Sequence, residues 1–340
     1  MCVTVAMKLP RDRKTGKPEK DAKWRLAKIR DRIYDPVYTV KRYTVKEHGA
    51  AQLFLIDNDT DWSEGLSVHE NGTFLSMVNS ALNNSSDKKD GKGKGKGCGC
   101  NDTVAINGKV VRQALKSHDI ETAVELIKNN KIDGCTLITD GDRLFVIETT
   151  LPANVKDKYR DKVKEGERFE DVVPLEEYKT VAKEIKDDYL AVRTNHGVFD
   201  PTFGYQKKDG DSFTSSTKRR EYALKYIEEK VYEPIDLITT LTRLGRDDID
   251  KNPFFRPVRR KGEAKVPKDG VEIYSTSIIQ LDPSGTMIVK PLECTFEVNN
   301  MQNLISDDYL AHMVILPHGS KMFESFKSFN STREFKKLLS

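Results

Sequence analysis

Hydrophobic and polar residues alternate over short stretches along much of the chain, which is the pattern of half-buried β-strands. Two pairs of these stretches are joined by turn residues typical of hairpins, Asn71-Gly72 and Asp140-Gly141-Asp142. We therefore expect hairpins rather than strand–helix–strand units. The predicted strands cover residues 1–9, 38–45, 52–56, 66–69, 73–79, 135–139, 144–147, 189–193, 272–281, 286–289 and 293–298.

Helical periodicity separates the groups of strands. Apolar residues recur at helical spacing in 108–117, 120–130, 218–231 and 235–244, and Asp119 is a suitable N-cap for the second of these helices. A fifth helix is predicted near 175–185. The order of strands, paired helices, strands, paired helices and strands predicts an α+β fold in which helices cover antiparallel sheets.

Composition limits the possible classes of protein. The 340 residues include 57 Lys and Arg and 53 Asp and Glu, giving a net charge of +4, with 37% hydrophobic residues. We expect one large domain over 2–315 with a peripheral helical tail at 316–340, and charged surface segments at 10–21, 83–103 and 151–188. No apolar run approaches the roughly 20 residues of a membrane span, so we expect a cytoplasmic protein without a membrane partner.

Cys2 directly follows the initiator methionine. Removal of Met1, which aminopeptidases favour before a small residue, would leave Cys2 with a free α-amine. One residue would then supply both a thiol nucleophile and a base that can accept its proton. The alternative is that Cys2 is an ordinary second residue.

The other cysteines predict no chemistry. An odd total of five argues against a disulfide framework. Cys98 and Cys100 are separated by one residue, which is too close for the usual zinc spacing, and they lie in a Lys- and Gly-rich segment that predicts a flexible loop. Cys135 and Cys294 lie in predicted strands and are expected in the core.

Several motifs occur in the order seen in the cysteine N-terminal-nucleophile (Ntn) hydrolases. They are the Cys2 strand, the Arg30-Asp31 pair, GLSVHENGTFLSMVNSAL, DGCTLITDGDRLFVIE, VRTNHGVFD and SSTKRR. The chain most resembles the group that includes choloylglycine hydrolase, penicillin V acylase, isopenicillin N acyltransferase and the NRDE-type proteins. The resemblance covers roughly residues 1–300. It implies a four-layer αββα sandwich with two antiparallel sheets.

The resemblance also implies roles for particular residues. Cys2 would be the nucleophile, with its own α-amine as the base. Arg30 would lie beside the sulfur, and Asp31 would orient the amine. Asp21 and Asp35 remain alternatives to Asp31, because the charged segment lengthens the distance from Cys2.

Three further residues would complete the implied site. Asn195 would donate its side-chain amide to the oxyanion. Asn79 would donate its backbone N–H to the same oxyanion or bind the α-amine, and Arg219 would complete the polar network. His69 stands where the family usually has asparagine.

The implied activity is that of an amidase or acyltransferase. It would act on a non-peptide carbon–nitrogen bond of a small molecule through an acyl-thioester on Cys2, without a metal or organic cofactor. The candidates for substrate binding are Trp24, His196 and Phe199. A homo-oligomer is compatible with the sequence.

Two other functions remain open. One is a family member that has lost activity and serves as a binding or structural protein. The other is nucleic-acid binding through the lysines at 92, 94 and 96 and the segment 255–265, although such charged stretches are more typical of solvated loops.

Overall fold

The computed structural model describes residues 2–32, 38–43, 49–57, 61–82, 104–162, 172–200, 202–203, 214–246, 275–293 and 312–315. The predictions for the 83–103 loop, the 316–340 tail, Cys98, Cys100, Cys294 and the 255–265 segment lie outside these residues. So do the lysines at 92, 94 and 96. Within the described part, no helix has the length and apolar character needed to cross a bilayer.

The described residues form thirteen strands and five α-helices. The strands are β1 (Cys2–Arg11), β2 (Pro18–Arg32), β3 (Tyr38–Tyr43), β4 (Ala50–Asp57), β5 (Ser63–His69), β6 (Phe74–Ser80), β7 (Gly134–Thr139), β8 (Leu144–Thr150), β9 (Lys179–Glu184), β10 (Leu190–Arg193), β11 (Ser275–Asp282), β12 (Thr286–Glu293) and β13 (His312–Ile315). The α-helices are α1 (Val104–Ala114), α2 (Ile120–Asn129), α3 (Ala153–Tyr159), α4 (Thr214–Lys230) and α5 (Pro234–Arg246), and short 3-10 helices span Arg160–Lys162 and Leu175–Glu177.

The strands form two sheets, which confirms the predicted α+β class. Sheet A has the order β10-β1-β2-β11-β12-β13, and sheet B runs from β3 to β9 in sequence order. Neighbouring strands are antiparallel except for β12 and β13, which are parallel. Strand β1 therefore has a partner on each side, β10 and β2.

Three apolar clusters define the layers. One lies between the sheets and includes Leu26 of sheet A and Val78 of sheet B. A second joins the outer face of sheet A to α4 and α5, and the third joins the outer face of sheet B to α1 and α2. The layers therefore follow in the order helices, sheet, sheet, helices.

The predicted turns and cap are present. Gly72 in the β5–β6 turn and Gly141 in the β7–β8 turn both have positive φ, at 84° and 94°, which glycine adopts without strain. The Asp119 carboxylate accepts a hydrogen bond of 2.7 Å from the backbone N–H of Thr122, as an N-cap should.

The exposed loop predicted at 10–21 is shorter than expected. Strands β1 and β2 form one long hairpin, and only residues 12–17 turn between them. Arg11 is buried, its guanidinium lies over the rings of Tyr189 and Tyr232, and it donates hydrogen bonds of 2.8 Å to the backbone carbonyls of Glu228 and Val231. A charged residue in this segment therefore anchors the C-terminal end of α4.

The helix predicted near 175–185 was wrong. Residues 179–184 form β9, which pairs with β8 at the edge of sheet B. Apolar residues occur at Val181, Ala182 and Ile185. This spacing fits the periodicity of a helix and that of a strand almost equally well. Pairing with β8 decides in favour of a strand, because tertiary contacts outweigh weak local preference.

Candidate active site

Cys2 lies at the start of β1, directly opposite Arg30 of β2, which in turn lies opposite Ser277 of β11. Residues opposite one another on neighbouring strands share a face of the sheet. This row therefore faces the layer between the sheets, like Ala6 and Leu26 further along the same strands. Cys2 is 6% exposed and lies in no disulfide.

The second row on this face contains Arg193, Thr4 and Lys28, and the third contains Ala191, Ala6 and Leu26. The inner face of sheet A is therefore polar at the Cys2 end and apolar beyond it. The hydroxyls of Thr4 and Ser277 are buried and have no hydrogen-bond partner among the described residues. Buried hydroxyls without partners are costly in an apolar core, so this end of the layer is suited to a polar ligand.

A fully buried ionic cluster connects Arg30 to sheet B. The Glu64 carboxylate accepts hydrogen bonds from Arg30 at 2.8 Å, from the Trp62 indole N–H at 2.9 Å, and from Lys28. Asp57 lies 3.7 Å from the Arg30 guanidinium. Two cations and two carboxylates balance one another, so the Arg30 guanidinium is buried without the cost of an unpaired ion.

Asn195 lies at the same end of the sheet. Thr4 pairs with Arg193, Cys2 lies two residues before Thr4, and Asn195 lies two residues after Arg193. Asn195 therefore lies just beyond the last pair of this register, at the Cys2 end of β1 and on the side away from β2.

The orientation of the Asn195 amide is fixed by two hydrogen bonds. Its oxygen accepts from the Arg219 guanidinium of α4 at 3.1 Å, and its nitrogen donates to the backbone carbonyl of Ala81 at 2.7 Å. These contacts join α4, the end of β6 and the segment after β10. An amide nitrogen carries two hydrogens, and the bond to Ala81 uses one of them.

His196 is held in a hydroxyl network beneath this amide. Its Nδ1 lies 3.0 Å from the Thr194 hydroxyl and 2.9 Å from the Ser216 hydroxyl, which also accepts the backbone N–H of Asn195. Burial, together with the guanidinium groups of Arg220, Arg219 and Arg193, lowers the pKa of His196 to about 4. At neutral pH the imidazole is therefore uncharged and supports the segment instead of binding a proton.

Glu148 fixes the segment that follows Asn195. Its buried carboxylate accepts the backbone N–H groups of Val198, at 2.9 and 3.0 Å, and of Phe199, at 3.0 Å, and it lies 3.4 Å from Arg193. Gly197 closes the turn, because a Cβ there would lie 2.3 Å from the carbonyl oxygen of Asp200. Glu148, which belongs to sheet B, therefore holds the segment 195–199 in place.

The backbone of Asp31 follows Arg30 and pairs with Thr276 of β11. Its side chain, like the whole of Asp35, lies outside what the structure describes. Asp21 is exposed near the hairpin end of β2, nine residues or about 30 Å along the strand from Arg30. The structure therefore removes Asp21 as an alternative, and Asp31 and Asp35 remain.

The Asn79 side chain does not face Cys2. Alternation along β6 places it on the same face as Leu75 and Met77, which pack against α1 and α2. Its amide is buried and has no hydrogen-bond partner among the described residues. Of the two roles expected for Asn79, only the one that uses the backbone is compatible with this orientation.

Two of the substrate-binding candidates are far from Cys2 or have another role. Trp24 lies opposite Lys8 and is fully buried in the apolar layer, six residues or about 20 Å along β1 from Cys2. Trp24 therefore does not lie beside Cys2. His196 supports the Asn195 segment, and Phe199 remains at the rim, partly buried against the layer between the sheets.

Cys135 is a core residue, as predicted. It lies in β7 and is fully buried, and burial, together with the neighbouring Glu148, raises the pKa of its thiol. A raised pKa disfavours the thiolate, so Cys135 is a poor nucleophile.

Glu64 and Glu148 were not predicted from the sequence. Each is an acidic residue on the inward-facing side of its strand, in line with apolar core residues such as Leu66 in β5 and Val146 in β8. A charge at a core position of an alternating pattern is the signal that could have identified them.

No cluster of three or more His, Cys, Asp or Glu side chains suited to a metal ion occurs among the described residues. The sequence matches no protein-family model and no curated protein.

Proposed function

We propose that this chain is an N-terminal-cysteine amidase or acyltransferase that cleaves a non-peptide amide of a small molecule. One observation carries the proposal: Cys2 pairs with Arg30, and Asn195 follows two residues after the Thr4–Arg193 pair, at the same polar end of the layer between the sheets. The layer order of helices, sheet, sheet and helices supports an Ntn-type fold.

In the proposed reaction, removal of Met1 first exposes the α-amine of Cys2. The neutral amine accepts the thiol proton, and the thiolate attacks the carbonyl carbon of the substrate amide. Arg30 stabilises the thiolate, because a cation beside a thiol lowers its pKa. The carbonyl π electrons move to the oxygen, which becomes an oxyanion.

Asn195 then donates its remaining amide hydrogen to the oxyanion. A fixed donor of this kind contributes about 3 kcal/mol to transition-state stabilisation. When the intermediate collapses, the carbon–nitrogen bond breaks and the ammonium group of Cys2 gives its proton to the leaving amine. Water, or an acceptor amine, gives a proton to the Cys2 amine and attacks the resulting thioester. When this second intermediate collapses, the carbon–sulfur bond breaks, the acyl product leaves, and the Cys2 thiolate takes the proton back from the ammonium group.

The test is the hydrolysis of a panel of N-acyl p-nitroanilides by the purified protein. Cys2→Ala should abolish cleavage, and Asn195→Ala should lower kcat by about 100-fold, the effect of losing one oxyanion donor. Cys135→Ala, which removes the buried thiol of β7, is the matched control and should remain active. Cleavage that persists in Cys2→Ala would refute the proposal.

An inactive protein that binds a ligand gives a different result. It would cleave no amide and form no covalent adduct at Cys2 with activated acyl esters.

A further inference from the structure

A cationic rim surrounds Phe199 at the edge of the layer between the sheets. The Arg193 guanidinium lies 4.8 Å and the Lys183 ammonium 4.7 Å from the centre of the Phe199 ring. Arg193 belongs to β10, the edge strand of sheet A, and Lys183 to β9, the edge strand of sheet B. The rim therefore spans the two sheets at the same side of the molecule.

Arg220 of α4 adds a third cation. Arg220 Nε and Arg193 Nη1 both donate hydrogen bonds of 3.1 Å to a single acceptor, the backbone carbonyl of Val192. Two like charges that share one neutral acceptor repel each other, and burial together with Arg193 lowers the pKa of Arg220. The arrangement is therefore electrostatically costly unless an anion lies nearby.

The described residues supply too little negative charge to balance this rim. Glu148 is 3.4 Å from Arg193, but its oxygens also accept two backbone N–H groups. No carboxylate of the described residues lies within ion-pair distance of Arg220 or Lys183, although Glu148 and Glu221 act on Arg220 from further away. Lys183 is exposed, so the imbalance lies at Arg193 and Arg220, for which Glu148 is the shared carboxylate.

The rim is close to the nucleophile. Arg193 is opposite Thr4, which is two residues from Cys2, so the Cα atoms of Arg193 and Cys2 are about 8 Å apart. A small molecule whose amide carbonyl is at Cys2 could therefore reach Arg193 with a group two to four bonds away.

We propose that Arg193, Arg220 and Lys183 bind a carboxylate of the substrate, so that the preferred substrates are amides with an anionic acyl or amine part. The inference rests on the proposed function, because it assigns the substrate class of the same site. Phe199 would form the apolar wall between the carboxylate and the scissile bond.

Alkylation by a matched pair of probes tests the rim without a known substrate. Iodoacetate is anionic and iodoacetamide is its neutral counterpart, and the ratio of their rates at Cys2 is compared with the ratio at a peptide that begins with cysteine. A cationic rim at this distance should make the iodoacetate-to-iodoacetamide rate ratio at Cys2 about fivefold higher than at the peptide, and added salt should reduce this difference.

Variants assign the effect to the rim. Lys183→Gln and Arg220→Gln should each lower the ratio at least twofold, and Arg220→Lys, which keeps the charge, should restore it. The exposed residues Lys186 and Lys218 provide the control substitutions Lys186→Gln and Lys218→Gln, which should leave the ratio unchanged. A wild-type ratio equal to or below that of the peptide would overturn the inference.

Two pairs of amides show whether the acyl part or the amine part of the substrate carries the carboxylate. Succinyl p-nitroanilide is compared with its neutral succinamoyl counterpart, and an N-acylglycine with the corresponding glycinamide. Faster cleavage of the anionic member of either pair supports the rim, and equal cleavage of both members in both pairs contradicts it. If Cys2→Ala cleaves these amides as well as the wild type, it is the proposed function that fails.

Discussion

Acidification should destabilise the protein through His196. The imidazole is buried among three guanidinium groups, and its pKa is about 4 in the folded protein against 6.5 for an ordinary histidine. The unfolded chain therefore binds more protons between these two values, and the free energy of unfolding falls as the pH is lowered through this window. Above about pH 6.5 and below about pH 4, this residue contributes no further change.

The magnitude follows from the shift. A difference of about 2.5 pKa units, from 6.5 to about 4, corresponds to about 3.4 kcal/mol at 1.36 kcal/mol per unit. About 2.5 kcal/mol of the free energy of unfolding should be lost by pH 4.5. That is a large part of the 5–15 kcal/mol by which native proteins are typically stable.

Urea unfolding of the wild type and of His196→Gln at a series of pH values isolates the effect. Glutamine does not titrate and can still bond to Thr194 and Ser216, so the stability advantage of the wild type over the variant should fall by about 2.5 kcal/mol between about pH 7 and about pH 4.5. Other groups titrate equally in both proteins and cancel. A difference that stays constant with pH would show that the pKa of His196 is not lowered in the folded protein.

The other predictions concern the supports of the site. Glu148→Gln removes the charge that faces Arg193 and weakens the hydrogen bonds that hold the segment after Asn195. In steady-state kinetics on the folded variant, kcat for amide cleavage should therefore fall at least tenfold, with a smaller change in KM. Gly197→Ala should lower the free energy of unfolding, measured with urea, by about 2 kcal/mol, because the new methyl group would overlap a backbone carbonyl. Arg11→Met should lower thermal stability by several degrees, because two carbonyls at the end of α4 lose a charged donor, whereas exposed Lys14→Met should leave it unchanged. Wild-type stability in Arg11→Met, or wild-type kinetics in Glu148→Gln, would contradict the roles given to these residues.

Local signals in the sequence predicted much of the fold. The turn residues at Asn71-Gly72 and the Asp119 cap act on their immediate neighbours, so their effects can be read without knowledge of the tertiary structure. Strand β2 was harder to recognise, because Lys28 and Arg30 occupy inward-facing positions where alternation predicts apolar residues. Their partner Glu64 lies more than thirty residues away, and the sequence gives no sign of that contact.

The candidate site was predictable to a similar extent. The order of motifs suggested Cys2, Arg30, Asn195 and Arg219 as candidates, and the structure pairs the first two by strand register and the last two by a hydrogen bond. The orientation of Asn79 and the distance to Trp24 depend on which face and which row a strand residue occupies. Such positions follow from the register of whole sheets and are not encoded locally.

The nucleophilic role of Cys2 is the central claim, and intact-mass measurement tests it most directly. The purified protein is analysed before and after incubation with an activated acyl ester, and the modified residue is located by peptide mapping. We expect a chain that lacks Met1 and carries one acyl group on Cys2, which hydroxylamine removes as expected for a thioester, and no adduct in Cys2→Ala. Retention of Met1, or acylation at another residue with Cys2 unmodified, would contradict it.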